Sequence, residues 1–371
     1  MKLVDSLAEI EPDQWNRLVG EYPFLRHEFL HAMQASGCVA SQTGWEPLYL
    51  TLWRDGMLDG AMPLYLKNHS RGEFVFDHGW ADAFERHGLE YYPKLIAAVP
   101  FTPVTGPRLL ANRADDRRRL AEGAIAVARQ LQVSSLHILF PLAPDLAVLS
   151  EMGFMLREGV QFHWHNAGYH QLADFLAALN HDKRKKIKQE RRKAHEAGLS
   201  FHWVDGTKIQ EKQLEFFFHC YRNTYSEHWS SPYLNLDLFR RLTATMPENL
   251  LWVFAQRGSQ PVACALNIIG GNVLYGRYWG ATEFVSGLHF ETCYTQAIEY
   301  CITHGIERFE GGAQGAHKMA RGLMPTPTWS AHWIADLRFA DAIRQFLQDE
   351  RAGVEHYLEE LDAHTPFKQS F

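Results

Sequence analysis

The sequence predicts an α/β protein that is built from two similar units in tandem. Two β-hairpin patterns, with apolar runs on either side of a glycine-containing polar turn, lie 202 residues apart at 50–66 and 252–268. Two further segments, 153–164 and 322–333, share the pattern Gly, Phe or Leu, Met, seven residues, His, Trp. A helical stretch and an apolar strand precede each of these segments. In each half we therefore expect a hairpin, an irregular segment, a helix, a strand, a short helix and a strand.

The chain length and the two offsets indicate the domain organisation. The 371 residues suffice for two domains of ordinary size, which we place at 1–168 and 169–371. The distance along the chain between matching segments falls from 202 residues at the hairpins to 169 residues at the second pattern. The first half therefore carries an insert of 33 residues, at about 68–98. Long irregular inserts on a packed frame are more often functional than structural. The second domain ends in a helical tail, which would pack within the chain or across a dimer.

The composition is that of an ordinary globular protein. Hydrophobic residues make up 46% of the chain and charged residues 22%, which excludes wholesale disorder and fibrous repeats. No apolar run is long enough to span a bilayer, and acidic residues near the start occupy the place of a signal-peptide core, so we expect a cytoplasmic protein. The five cysteines are scattered, which predicts reduced thiols and no cysteine-based metal site.

The charge is concentrated in one segment. The chain carries a net charge of −6, yet residues 181–193 contain eight basic and two acidic residues. Apolar residues at near-helical spacing predict a helix at 181–196 with one thin buried stripe. Such a helix on an acidic body would bind a polyanion, whether phosphate, nucleic acid or anionic lipid. A solvated helix face explains the same charges equally well.

Several long segments carry a resemblance to a known family. They are HEFLHAMQASGCVASQTGWEP (27–47), GAMPLYLKNHSRGEFVFDHGWADA (60–83), YYPKLIAAVPFTPVTGPRLL (91–110), YGRYWGA (275–281) and GLHFETCYTQAIEYCITHGIERFEGGAQGAHKMARGLMPTPTWSAHW (287–333). With the element order, they resemble tandem acetyltransferase-type (GNAT) proteins of the Fem-like group, which add amino acids to peptidoglycan precursors. The resemblance is closer to bacterial N-acyltransferases described as peptidoglycan biosynthesis or recognition proteins. It implies two tandem GNAT-like units with mixed sheets flanked by helices.

A glycine-rich turn that follows the strand ending near Phe309 is the first candidate site. Glycines let backbone amides approach a ligand closely and hold an anion or a carbonyl oxyanion. Glu310 and His317 are the candidate catalytic residues, since either could accept the proton of an attacking amine. A glycine-rich turn beside a surface basic cluster is the alternative. The candidate donor-binding residues in the turn are Gly311, Gly312, Gly315, Lys318 and Arg321.

Two shorter motifs near the second hairpin extend the candidate donor site. Tyr275, Arg277 and Trp279 share one face of a predicted strand. His289 and Glu291 would open the helix that follows. We add Arg277, His289 and Glu291 to the donor-binding residues, and ordinary cross-strand packing is the alternative.

The insert supplies most of the candidate acceptor site. Its aromatic, acidic and basic side chains could line a pocket for the acceptor, and an aromatic-rich loop packed on the core is the alternative. A proline-rich loop at 100–108 adds an arginine, because the resemblance implies that this strand–helix junction holds a phosphate. A rigid loop without that role is the alternative. The candidate acceptor-binding residues are Asp77, His78, Trp80, Tyr92, Lys94 and Arg108.

The sequence lacks the coenzyme A cradle of simple acetyltransferases. Their [QR]-x-x-G-x-[GA] pattern is matched neither by PVTGPRLLANR nor by YWGATEFVSGLHF. This departure from the resemblance favours a donor that is held differently, such as aminoacyl-tRNA, whose backbone would suit the basic residues 183–193. Acyl-CoA is the alternative donor. We expect no tightly bound cofactor and no metal ion.

These motifs together predict an N-acyltransferase. An acyl or aminoacyl group would pass from an activated donor to an amine acceptor, such as a cell-wall precursor, by direct attack of the amine on the carbonyl. One alternative is a non-catalytic module that binds the cell wall or nucleic acid through the same cleft. The other is an acyl-CoA-dependent acetyltransferase. The oligomeric state is left open.

Overall fold

The computed structural model describes residues 1–227, 229–312 and 315–368. These residues form two compact units. Unit 1 comprises Met1–Gly159 and Pro327–Tyr357, and unit 2 comprises Val160–Thr326 and the chain from Leu358 onward. This division differs from the domains expected at 1–168 and 169–371, chiefly because Pro327–Tyr357 belongs to unit 1.

The secondary structure follows the chain in two series. The first series is β1 (Lys2–Val4), α1 (Pro12–Val19), α2 (His27–Ala35), β2 (Trp45–Pro47), β3 (Tyr49–Arg54), β4 (Met57–Met62), β5 (Leu64–Lys67), α3 (His78–Arg86), β6 (Lys94–Ala97), β7 (Leu110–Ala111), α4 (Ala114–Gln130), β8 (Ser135–Leu139), α5 (Ala143–Glu151) and β9 (Met155–His165). The second series is α6 (Leu172–Ala178), α7 (His181–Glu196), β10 (Leu199–Asp205), α8 (Glu211–Glu227), α9 (Leu236–Thr245), β11 (Leu250–Arg257), β12 (Gln260–Gly270), β13 (Val273–Ala281), α10 (Leu288–Phe290), a π-helical turn (Glu291–Thr295), α11 (Gln296–His304), β14 (Arg308–Glu310), a 3₁₀ helix (Ala316–Arg321), β15 (Met324–Ile334) and α12 (Leu337–Ala363).

Unit 1 contains an antiparallel sheet and a mixed sheet. The antiparallel sheet has the strand order β1–β3–β4–β7. The mixed sheet has the order β15–β8–β6–β5–β2, in which β6 and β8 are parallel. A parallel pair needs a crossover connection, and α4 lies in that connection. Leu120 and Ala124 of α4 pack in one core with Leu136 and Ile138 of β8.

The C-terminal segment returns to unit 1 through β15. Its residues Ser330–Ile334 pair antiparallel with β8. The beginning of α12 then buries Phe339 and Ile343 in a cluster with Trp80 and Phe84 of α3. These long-range contacts are the physical reason why this part of the predicted tail packs within the chain.

The insert predicted at 68–98 is more regular than the sequence indicated. It contains α3, which buries Trp80 and Phe84 on one face, and β6, which lies between β5 and β8. The segments 68–77 and 87–93 carry no helix or strand in the described chain. The insert is therefore irregular only in part, because α3 and β6 belong to the packed frame.

Unit 2 contains one mixed sheet with the strand order β10–β11–β12–β13–β14–β9. The strands are antiparallel except for β13 and β14. That parallel pair joins only Val273–Tyr275 to Arg308–Glu310. Beyond Tyr275, β13 continues to Ala281 beside β12, with no described strand on its other side. The sheet therefore opens between β13 and β14.

The helix, strand, short helix and strand expected after each hairpin are present, whereas the expected irregular segment contains β5, α3, β6 and β7 in the first half and β13 in the second. The β3–β4 hairpin turns at Asp55–Gly56, and the β11–β12 hairpin turns at Gly258–Ser259. The strands β9 and β15 are equal in length and begin 169 residues apart, which is the offset of the second sequence pattern. Each hairpin is followed in order by a helix, a strand, a short helix and a strand.

Helix α8 packs tightly against β13. A Cβ atom on Gly280 would lie 1.9 Å from the carbonyl oxygen of Cys220 in α8. The Thr224 hydroxyl of the same helix donates a hydrogen bond of 2.8 Å to the carbonyl oxygen of Trp279. The helix backbone therefore touches the strand at a point that admits no side chain.

We predict that Gly280→Ala destabilises unit 2. The new methyl group must push α8 away from β13, and overpacking of this kind costs about 3 kcal/mol of the free energy of unfolding. Urea denaturation would measure this loss. The matched control is Gly353→Ala in α12, where nothing lies within 4 Å of the added Cβ, and that variant should gain up to about 1 kcal/mol. Equal stability of the two variants would contradict the close contact.

Candidate functional site

A pocket of about 310 Å³ lies in unit 2 where β13 and β14 part. Gly276, Arg277 and Trp279 of β13 line one side, and Phe309 and Gly311 line the other. Helix α8 and the segment around the π-helical turn also contribute side chains. The pocket thus occupies the gap that the short parallel pairing leaves in the sheet.

A β-bulge brings Arg277 into this pocket. In the β12–β13 ladder, Leu266 pairs with Tyr278 and Asn267 pairs with Gly276, so Arg277 is an extra residue on its strand. The bulge breaks the ordinary alternation of the strand, and Gly276–Trp279 all line the pocket.

Asn267 is a pocket residue that the sequence analysis missed. It is 1% exposed, and its Nδ2 atom has no hydrogen-bond partner in the structure. A buried amide donor without a partner is costly, and such groups are rare in native proteins. Asn267 is therefore a candidate for binding a ligand oxygen. The signal available in the sequence was one amide side chain within the apolar run ACALNII.

Three predicted donor-binding residues meet at the pocket, namely Arg277, His289 and Gly311. The imidazole of His289 lies 4.9 Å from Trp279 and 5.7 Å from Tyr294, measured between ring centroids. Burial, together with nearby cationic groups, lowers the pKa of His289 to about 4. Its ring is therefore neutral at pH 7.

Internal contacts hold the rest of the glycine-rich turn. Lys318 Nζ donates to the carbonyl oxygen of Gly312 at 2.8 Å, and burial lowers the pKa of Lys318 to about 8. Arg321 is buried, donates to Glu190 Oε1 of α7 at 2.5 Å, and lies 3.6 Å from the ring centroid of Phe290. Both cations therefore have partners inside unit 2. Residues 313 and 314 of this motif lie outside the described residues.

The two candidate catalytic residues occupy different environments. His317 is exposed, and its ring centroid lies 6.4 Å from that of the pocket residue Tyr294. Burial and the charges of Lys318 and Arg321 lower the pKa of His317. The imidazole is thus neutral at pH 7 and able to accept a proton.

Glu310 is buried on the other face of β14. Phe309 and Gly311 line the pocket, and a residue between two such neighbours points to the opposite side of the strand. Arg308 Nε lies 3.1 Å from Glu310 Oε1, and His163 Nε2 lies 3.8 Å from Oε2. Burial raises the pKa of Glu310 to about 7, although Arg308 opposes the shift. The carboxyl group therefore titrates near neutral pH, but it does not face the pocket.

Glu291 faces α7. Its Oε1 atom accepts a hydrogen bond from Gln296 Nε2 at 2.8 Å and lies 3.6 Å from Nε of Arg191. Burial raises the pKa of Glu291. This predicted donor-binding residue joins the π-helical turn to the basic helix.

The basic helix predicted at 181–196 is α7. The Asn180 side chain caps it by accepting a hydrogen bond of 3.0 Å from the backbone N–H of Lys183, and Ile187 and Ala194 form its buried stripe. Glu190 pairs with Arg321, so an acidic residue of α7 holds the helix in place. The solvent-exposed cations are Lys185, Lys186, Lys188, Arg192 and Lys193.

The predicted acceptor residues lie in unit 1, where Asp77 and Lys94 form a buried ion pair. Lys94 Nζ also donates to Glu73 Oε2 and to Ser70 Oγ, each at 2.8 Å. The Tyr91 hydroxyl donates to Asp77 Oδ2 at 2.6 Å. Burial alone would raise the pKa of Asp77, but the Lys94 ammonium holds it well below its usual range.

Two histidines extend this network. His137 Nε2 lies 3.1 Å from the Tyr91 hydroxyl, and His137 Nδ1 lies 2.7 Å from Nδ1 of His332. Burial lowers the pKa of His137 to about 3 and that of His332 well below its ordinary value. This hydrogen-bond network therefore ends in two neutral imidazoles inside unit 1.

Lys67 lies opposite Lys94 in the β5–β6 ladder, and both side chains are fully buried. Like charges placed directly opposite each other destabilise a sheet. Glu73 and Asp77 supply the compensating charge from the segment that follows β5. Burial lowers the pKa of Lys67 to about 7 and raises that of Glu73 to about 7.

The other predicted acceptor residues are dispersed through unit 1. His78 and Tyr92 border an open hollow of about 480 Å³. Trp80 packs in the hydrophobic cluster of α3 and α12. The buried Arg108 guanidinium donates to the carbonyl oxygens of Leu139 at 2.7 Å and Val104 at 2.6 Å. Of the six residues, His78 and Tyr92 border this hollow, and the other four are buried.

Two further properties of the described chain bear on function. Among the residues that can be described, no cluster of three or more His, Cys, Asp or Glu side chains is arranged to hold a metal ion. Over the same residues, no helix combines the length and the apolar character that crossing a membrane requires.

Comparison with known proteins identifies a family and a fold. The FemAB_like family, described as peptidoglycan biosynthesis/recognition, matches residues 6–369. The crystal structure of FemX superposes with a TM-score of 0.56 at 12% identity, covering 93% of this chain and 100% of FemX. L-PGS from Bacillus licheniformis superposes with a TM-score of 0.52 at 8% identity, covering 85% of this chain and 95% of L-PGS. No curated protein matches the sequence significantly.

The predicted fold class is confirmed by these likenesses. The chain is an α/β protein of two tandem GNAT-like units, with mixed sheets flanked by helices, and it shares its fold with FemX. The roles of individual residues remain predictions.

We predict that Lys94→Met destabilises unit 1 far more than Lys67→Met. Removing Lys94 leaves two buried carboxylates without their cation, which should cost about 3–5 kcal/mol of the free energy of unfolding. At pH 8, Lys67 is largely neutral, and its Nζ contacts His69 and the Arg71 carbonyl oxygen, so its loss should cost about 1 kcal/mol. Urea denaturation of both variants at pH 8 tests the difference. Equal losses would show that the ion pair does not hold the insert.

We predict that Glu310→Gln alters the pH dependence of stability. A carboxyl group whose pKa is raised from 4.5 to about 7 in the folded state penalises folding progressively as pH rises from 4.5 to 7. Relative to the variant, the wild-type protein should lose roughly 3 kcal/mol across this range. Denaturation at pH 5 and pH 8 would detect the change, with Glu248→Gln at an exposed position as the control. Parallel pH profiles for wild type and Glu310→Gln would refute the shift.

Proposed function

The chain belongs to the FemAB_like family of peptidoglycan biosynthesis and recognition proteins, and we propose that it is an N-acyltransferase. In this proposal, an acyl or aminoacyl group passes from an activated donor to the amine of a cell-wall precursor. The observation that carries it is the pocket in unit 2, where an unpartnered buried amide and glycine backbone lie between two parted strands.

Carbonyl activation follows from the groups that surround the pocket. As the amine attacks, negative charge develops on the carbonyl oxygen of the donor, and fixed N–H donors stabilise that charge. Asn267 Nδ2 is a buried donor with no competing partner. The backbone amides near Gly311, Gly312 and Gly315 would supplement it.

We assign proton acceptance to His317. The attacking amine must lose a proton, and a neutral imidazole suits this role near pH 7. His317 lies beside the pocket residue Tyr294, whereas Glu310 faces the other side of β14. Glu310 would act only through intervening water, so it takes second place in this proposal.

Donor binding would use the exposed cations of α7. They lie on a helix that is anchored to Arg321 and Glu291 of the candidate site. A phosphorylated donor, either aminoacyl-tRNA or acyl-CoA, would pair with them, and its affinity would fall steeply with salt. Lys318 and Arg321 would mainly position the loop, because both already have internal partners. His78 and Tyr92 remain the most accessible acceptor candidates.

A non-catalytic binding module is the second candidate. One observation favours it, namely that neither Glu310 nor His317 is among the residues lining the pocket. Such a protein would retain a cell-wall ligand in the same pocket without consuming a donor.

Turnover distinguishes the two candidates. The protein would be incubated with a UDP-muramoyl peptide and either an acyl-CoA or an aminoacyl-tRNA, and the acceptor mass followed by mass spectrometry. An increase by the mass of the transferred group supports the transferase. Binding of the peptide with an unchanged mass for every donor supports the binding module.

We predict that His317→Gln lowers kcat by about 10²-fold or more while KM changes little, since general-base catalysis typically contributes this much. Steady-state kinetics from pH 5 to pH 8 would measure the loss. The ionisation of His317, whose pKa is lowered from its ordinary value, should disappear from the acidic limb of the profile. His202→Gln, which replaces an exposed histidine on β10, is the control. A normal kcat for His317→Gln would contradict this assignment and would favour Glu310 as the proton acceptor.

A further inference from the structure

The charge of the pocket wall separates the two donor classes that the sequence left open. Among the residues that the structure describes, the lining contains no aspartate and no glutamate. Arg277 supplies a positive charge, and His289 is neutral at pH 7 because burial lowers its pKa. The described wall is therefore cationic overall.

Four further titratable groups of the wall do not supply a negative charge. Burial raises the pKa of Tyr225 to about 12, and it also raises the pKa values of Tyr221, Tyr294 and Cys293. All four groups stay protonated near pH 7. An ammonium group entering the pocket would therefore meet no anionic partner and would be repelled by Arg277.

Aromatic rings can bind cations, and the pocket has several. For three of them, Tyr221, Tyr225 and Tyr278, the arrangement argues against that role. The Arg277 guanidinium already lies 5.3 Å from the ring centroid of Tyr278. Tyr221 packs edge-to-face against both Tyr225 and Tyr278, with ring centroids 4.9 and 5.2 Å apart. These rings are engaged with one another and with the arginine.

The unpartnered amide of Asn267 indicates what the pocket does accept. The Nδ2 atom is a donor, and the residue is almost completely buried, so it calls for a ligand oxygen that accepts a hydrogen bond. The two aliphatic hydroxyl groups of the wall, on Thr224 and Ser230, already donate to the carbonyl oxygens of Trp279 and Tyr225. A carbonyl or carboxylate oxygen fits this position.

We propose that the pocket selects an uncharged or anionic acyl group and rejects an aminoacyl group that carries a free ammonium. This inference rests on the proposed function, because it assigns the pocket to the group that is transferred. It narrows the donor to an activated acyl compound, such as a thioester, whose acyl chain ends in a methyl group or a carboxylate.

The test compares three small amides that differ in charge. Butyramide is neutral, protonated β-alaninamide is its cationic isostere, and malonamate is an anionic analogue. Their dissociation constants would be measured with the full-length wild-type protein by ligand-observed NMR at pH 7. We expect butyramide and malonamate to bind at least tenfold more tightly than β-alaninamide. Equal or tighter binding of β-alaninamide, or no binding of any probe, would overturn the proposal.

Single substitutions test which residues cause the selectivity between the three probes. Arg277→Gln should reduce the discrimination against β-alaninamide to less than threefold and weaken malonamate, while Asn267→Leu should weaken all three probes. Arg240→Gln on α9 is the matched surface control and should keep the wild-type order. Unchanged discrimination in a folded Arg277→Gln protein would contradict the role of this charge.

The failure of this inference is distinguishable from the failure of the proposed function. If the charge order holds but no donor gives transfer, the transferase proposal fails and the selectivity stands. If an aminoacyl-tRNA with a free ammonium is consumed, the selectivity fails and the transferase proposal stands.

Discussion

The parallel pairing of β13 with β14 ends after three residues, and the candidate site exists because it ends there. Had the ladder continued, the edge of β13 beyond Tyr275 would be filled by backbone hydrogen bonds. Instead, the gap exposes Gly276–Trp279 on one side and Gly311 on the other. The bulge at Arg277 then turns a guanidinium into this gap. Strand geometry thus creates both the cavity and its charge.

Electrostatic balance governs unit 1 in a different way. Two lysines face each other in the β5–β6 ladder, and this arrangement is tolerable only because Glu73 and Asp77 fold back over them. Buried charge therefore holds the stretch between β5 and α3, while α3 itself packs in a hydrophobic cluster. Asp77 and Lys94, two of the predicted acceptor-binding residues, take part in this buried network. Buried ion pairs of this kind add little net stability, but losing one partner is costly.

The basic helix serves two roles through different faces. Its acidic residue Glu190 and its Arg191 connect it to Arg321 and Glu291, so its position depends on the candidate site. Its remaining cations face solvent. A phosphate group bound along α7 would thus lie on an element that these ion pairs join to the candidate site. In this way, binding energy from a remote part of a donor can contribute to orientation.

The sequence by itself determined the elements whose signals are local. Hairpin turns, the spacing of apolar residues along α7, and the repeated order of helices and strands all depend on neighbours within a few residues, and each is present as predicted. Only the tertiary structure decided which side of β14 Glu310 faces, that Asp77 and Lys94 are buried together, that Asn267 lacks a partner, and that β15 returns to unit 1. The side to which a residue points, its burial and its hydrogen-bond partners depend on contacts between residues that are far apart in the chain. The periodicity of the sequence does not predict these contacts.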